Sequence, residues 1–295
     1  MDKYFLLLLS AFLFASQVIF TKLFERSNGS TYAATVRFSL VSEAVALVIL
    51  LCANGFRVEF TVFSVIMAGA LAVVCVLANV IGIKTMSLGS VAVYTLFLML
   101  GGMIVPFIAG AAFLDEQVKI PYIIATVLLG GALVLPIFDK GERQAQSKKT
   151  FLLFLAFCFV VFLLNGANST IGKFHQVDES KAVGTTDFLI LKGFFGVGIS
   201  GILLLFCKEE NKYKRLVSKS TLIGSAGFAV VNVAATLLQL YCAITVDSCL
   251  MYPLVTGGVL VFTPVLSRCI FKEKITALVA AEILVSVVAT VLFVF

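Results

Sequence analysis

Ten long stretches of the chain, each nearly free of charge, leave very few folds open. They cover about residues 4–24, 33–53, 61–83, 88–112, 119–138, 151–173, 184–207, 220–244, 248–271 and 275–295. A helix needs about 20 apolar residues to cross the hydrocarbon core of a bilayer. In lipid every backbone N–H and C=O must be satisfied inside the protein, which leaves helices and closed barrels. A barrel would show segments of about ten residues alternating apolar and polar, whereas these runs are continuous. The chain is 61% hydrophobic and only 13% charged, against about 25% charged in soluble domains. The reading is an all-α polytopic membrane protein with ten transmembrane helices. The opening "MDKYFLLLLSAFLFASQVIF" has no clean small-x-small cleavage site, so it reads as a retained first helix.

Two of the runs repeat each other. In "YTLFLMLGGMIVPFIAGAAFLDEQ" (94–117) Tyr94 precedes Pro106 by 12 positions, and in "YPLVTGGVLVFTPVLSRCIFKEK" (252–274) Tyr252 precedes Pro264 by the same 12. Glu116 and Glu273 then follow ten and nine residues after their prolines. Lys22 and Lys173 close the first and sixth runs, with Gln17 and Asn168 each five residues earlier. Arg37 stands 15 residues before Cys52, as Lys192 does before Cys207. The expected organisation is two five-helix halves, 1–138 and 151–295, joined by the basic linker "DKGERQAQSKKT" (139–150). Five is odd, so the second half enters the membrane from the opposite face and the repeats are inverted. Inverted repeats recur in secondary transporters, with the substrate site near the midplane between them.

Five plus five helices, with Pro106/Glu116 and Pro264/Glu273 closing the fourth helix of each half, resemble the EamA-like family of the drug/metabolite transporter superfamily. The resemblance implies a basket of helices 1–4 and 6–9 around a central cavity, helices 5 and 10 at the periphery, and cargo such as amino acids, other metabolites or drugs. The chain departs from the family in lacking tryptophan and in placing Glu282 in its tenth helix.

Polar side chains inside apolar runs need a reason, because a charge at a helix centre costs about 2.5–3.5 kcal/mol on insertion scales. Ser10, Gln17 and Thr21 share a helical face, as do Asn165, Asn168 and Gly172, Asn232 and Gln239, and Tyr252, Thr256 and Thr263. Such groups either hydrogen-bond neighbouring helices or face a cavity. The candidate substrate-binding set is Gln17, Arg37, Asn79, Tyr94, Asn168, Lys192, Asn232, Gln239, Tyr252 and Thr256. Arg37 and Lys192 are matched cations without a partner on their own helix face; they either snorkel to the headgroups or face inward and favour an anionic or zwitterionic substrate. Glu43 is the candidate for proton coupling. Glu282 reads as a helix–helix or dimer contact, with a homodimer through helices 5 and 10 as the expected assembly. Glu116 and Glu273 read as structural groups paired with Lys119, Lys272 or Lys274. The glycine pairs Gly101-Gly102 and Gly257-Gly258 read as sites of close helix approach.

The cysteines number seven and fall in or at the ends of apolar runs, so they read as small buried hydrophobes. His175 is the sole histidine and is expected in a loop, which excludes multi-histidine metal sites. No P-loop occurs, and no cofactor is implied. The net charge of +6 lies in loops and bears on orientation, not on nucleic acid. Of the Lys and Arg outside the helices, five lie on the face of the termini and fifteen on the other. The positive-inside rule therefore places the termini outside, whereas the resemblance implies termini inside. The expected function is a secondary transporter of a small polar metabolite in a bacterial-type cytoplasmic membrane, not an enzyme; an intramembrane enzyme or a channel is the alternative.

Overall fold

The computed structural model describes residues 3–29, 31–86, 88–89, 91–135, 148–178, 180–207, 216, 218–272 and 275–293. The described residues form ten helices in chain order: α1 (Lys3–Asn28), α2 (Tyr32–Ala53), α3 (Val62–Met86), α4 (Val91–Phe113), α5 (Ile120–Val134), α6 (Lys148–Val177), α7 (Thr185–Phe206), α8 (Lys219–Ala243), α9 (Ser248–Phe271) and α10 (Ala277–Leu292). Eight are long and apolar enough to cross a membrane; α5 and α10 are shorter apolar helices. This is the architecture expected of a multi-pass integral membrane protein.

Local chemistry sets the helix ends. The Thr31, Ser218 and Thr276 hydroxyls accept from the backbone N–H groups of Ala34, Thr221 and Val279, capping α2, α8 and α10. Pro121 opens α5, where a missing N–H costs nothing. Lys272 ends α9 in the left-handed region at φ 58°. The ends of α6 depart from expectation. It starts at Lys148 and continues to Val177, so Lys173 lies a turn before its end, and His175 lies within the helix and not in a loop. Most of the linker (139–147), with Glu273 and Lys274, lies outside the described residues.

The helices pack across the two halves more than within them. The main pairings are α1 with α8 and α9, α6 with α3 and α4, α2 with α7 and α8, α3 with α7, α4 with α9, α5 with α10, and α9 with α10. The glycine pairs make these approaches possible. A Cβ at Gly101 would collide with the Phe162 carbonyl of α6, and one at Gly102 would lie 2.5 Å from Asn165 Nδ2. A Cβ at Gly258 would lie 2.6 Å from Ala11 Cβ of α1. Gly258→Leu should therefore part α9 from α1, at a cost of about 1–3 kcal/mol, read as a lower Tm in detergent. Residues 251–260 of α9 are buried without a break, which places this helix at the centre of the bundle.

Candidate functional site

Two candidate groups of opposite charge meet where α2 packs on α7. Lys192 Nζ donates to Glu43 Oε1, an ion pair whose side chains are 19% and 22% exposed. Gly193 and Gly196 let the helices approach: a Cβ at Gly196 would lie 3.1 Å from the Glu43 carboxylate, and one at Gly193 3.3 Å from Leu47 Cδ1. Glu43 stands near the middle of α2, so the pair lies far from either end of that helix. Lys192 thus has a partner after all, on another helix. Asp187 is committed elsewhere, accepting from Asn54 Nδ2 at 2.8 Å and from the Glu59 N–H at 3.2 Å.

Beside the pair, Cys75 of α3 donates its thiol to Asn168 Oδ1 of α6 at 3.1 Å, and the sulfur lies within electrostatic reach of both Glu43 and Lys192. Four helices, α2, α3, α6 and α7, therefore bring Glu43, Cys75, Asn168 and Lys192 together. The sequence reading proposed Glu43, Asn168 and Lys192 separately and missed Cys75. The available signal was two opposite lone charges, each deep in an apolar run.

The other candidates are dispersed. Arg37 is completely buried in the first half of α2, so it does not snorkel. Asn79 is exposed and lines a cleft with Thr35 and Ser39 of α2 and Ser200 and Leu203 of α7. Gln17 buries its Nε2 with no hydrogen-bond partner among the described residues. Asn232 accepts from Thr236 Oγ1 on its own helix at 3.1 Å, and Gln239 is half-buried. The half-buried Tyr94 lies against Gly82 of α3, where a Cβ would come within 2.6 Å of its hydroxyl. Tyr252 is buried and donates to the Ser169 carbonyl at 2.6 Å; Thr256 is buried one turn on. Glu282 is buried within its own bundle, as a helix–helix contact requires. Glu116 pairs with Lys173, 3.5 Å away, and not with Lys119 as expected.

His175 corrects the expectation of a solvated loop residue. It is fully buried and stacks on Phe188 with ring centroids 3.7 Å apart. The Thr185 hydroxyl donates to Gln176 Oε1 at 2.6 Å, which turns Gln176 Nε2 toward His175 Nδ1, 3.0 Å away. Nδ1 is then the acceptor, so the ring proton sits on Nε2 and is donated to Ser64 Oγ at 2.9 Å. Ser64 Oγ also accepts from the Val183 N–H at 3.0 Å. A histidine activating a serine must accept the hydroxyl proton; here the proton runs the other way, so the pair ties the α6–α7 connection to the start of α3. Ser64→Ala would strand the buried ring N–H at a cost of about 1–3 kcal/mol. Thermal unfolding should show the loss as a lower Tm.

No family model matches the chain, and no curated protein matches it by sequence. Its fold is similar to that of a protein solved by crystallography, at 11% identity and a TM-score of 0.71, over 98% of this chain and 95% of that one. At that identity the likeness speaks for the fold alone.

Proposed function

We propose that the chain is a secondary transporter that moves a small polar metabolite, such as an amino acid or related compound, or a drug, across the cytoplasmic membrane by alternating access. Two inverted five-helix repeats of the EamA-like kind form its two walls. The helix pairings support the repeat. Exchanging each helix with the one five places away turns α1–α8 into α6–α3, α1–α9 into α6–α4 and α2–α8 into α7–α3, while α2–α7, α4–α9 and α5–α10 map onto themselves.

The observation that carries the reading is the Glu43–Lys192 pair with Cys75 and Asn168 beside it. It lies on α2–α7, a contact that the exchange maps onto itself, so both repeats contribute to it. Ionisable groups inside membrane helices mark substrate or ion pathways. A carboxylate and an ammonium side by side can take up the two ends of a zwitterion, or exchange a proton while cargo is bound. A thermal-shift screen on the purified protein, followed by uptake into liposomes, tests the function. Saturable uptake with counterflow supports the carrier; flux without saturation or counterflow supports a channel instead.

A further inference from the structure

We propose that Glu116, Lys173 and Tyr252 form a lock that holds the bundle shut on the face of the chain termini, and that each charge of the lock is matched to a helix end. The proposal rests on the alternating-access reading above. Lys173 Nζ donates to the carbonyls of Ala243 and Val246, both at 2.7 Å. Ala243 is the last residue of α8, so the ammonium meets the negative end of that helix. Glu116 Oε2 accepts from the Cys249 N–H at 3.1 Å, in the first turn of α9. Asp247, at the N-cap position of α9, makes no side-chain cap bond; Glu116 supplies the cap from across the bundle. The two charges lie 3.5 Å apart with 5% of each side chain exposed. Gly110 leaves room for them, since a Cβ there would run into Glu116 Oε2. Three residues beyond Cys249, Tyr252 ties α9 to the Ser169 carbonyl of α6 at 2.6 Å.

Glu273, the counterpart of Glu116, lies outside the described residues, and the other two matched residues have neighbours of their own. Lys22, the counterpart of Lys173, is half-buried and donates to Ser267 Oγ at 3.3 Å. Tyr94, the counterpart of Tyr252, lies on Gly82 of α3. The cleft lined by Asn79 opens beside the N-terminal part of α2 and the C-terminal part of α7, at the opposite end of the bundle from the lock. A bundle closed at the terminal face is one of the two states an alternating carrier must visit.

Cys249 sits at the lock with no exposed surface and reports its opening. In a chain with Cys249 as the sole cysteine, N-ethylmaleimide labelling should accelerate about tenfold to a hundredfold in Glu116→Gln and in Lys173→Met, as expected when one charge-assisted tie is lost. Tyr252→Phe should give a smaller rise in the same direction, and it serves as the test if the charge variants fail to fold. The exchanged pair, Glu116→Lys with Lys173→Glu, should label as fast as either single variant, because each charge then faces the wrong helix end. A matched chain carrying only Cys207, buried at the other end of the bundle, should label at an unchanged rate. Unchanged Cys249 labelling in the folded variants, or a parallel rise at Cys207, overturns the lock. Protection restored by the exchanged pair overturns the matching to helix ends. A response in a protein without counterflow leaves the lock and removes the carrier; counterflow without a response does the reverse.

Discussion

Glu43→Gln is expected to destabilise the protein by about 3 kcal/mol, and adding Lys192→Gln should recover most of that loss. Removing one member of a buried pair leaves an uncompensated charge, which costs about 3–5 kcal/mol. The low end applies here because the side chains keep 19% and 22% of their exposure. The double variant leaves two neutral groups that still hydrogen-bond, so its Tm should return close to that of the parent. Transport should not recover. If both charges meet the cargo, each substitution removes a charge-assisted contact and lowers uptake by about tenfold to a hundredfold, and the double variant stays inactive. Recovered stability with lost transport separates a working pair from a structural one. A double variant that transports normally assigns Glu43 and Lys192 to packing alone.

The second large effect is at Gly101. A Cβ there would fall on the Phe162 carbonyl oxygen, and a backbone atom cannot rotate aside as a side chain can. Gly101→Leu should cost more than the usual 1–3 kcal/mol of an overpacked core, about 3 kcal/mol or more, and sharply reduce the yield of folded protein. Gly131 in α5 is the control, because a Cβ there would meet nothing within 4 Å. Gly131→Ala should be neutral or raise stability by about 0.5–1 kcal/mol through helix propensity. Thermal unfolding in detergent measures both; a Gly101 variant as stable as the Gly131 one contradicts the packing described for α4 and α6.

Those glycines show what the sequence discloses. Ten apolar runs predict ten helices because runs this long and unbroken satisfy their backbone in lipid as helices and not as barrel strands, and the helices form at those runs with ends shifted by a few residues. The doublets Gly101-Gly102 and Gly257-Gly258 predict close approach, and each has a neighbour where its Cβ would be. Long-range pairing was not legible. Lys192 was compared only with carboxylates on its own helix, yet its partner is 149 positions away in sequence. His175 was read as a loop residue beyond the apolar run that Lys173 closes; the helix runs on through it because Phe188 and Ser64 receive it, as Glu116 and the carbonyls at 243 and 246 receive Lys173. Local composition carries no trace of partners folded in from other helices.

The most direct test of the account is whether its halves are inverted. Ser27, at the end of α1, and Ser180, just beyond α6, stand at equivalent places in the two proposed repeats and are both exposed. Inversion requires α5 to cross the membrane, and its 15 described residues span only about 22 Å at 1.5 Å per residue. With single cysteines at 27 and 180 in a cysteine-free chain, a membrane-impermeant maleimide applied to sealed vesicles should label one position from one face and the other from the opposite face. Labelling of both from the same face would contradict the inverted repeat, and with it the exchange of conformations that alternating access requires.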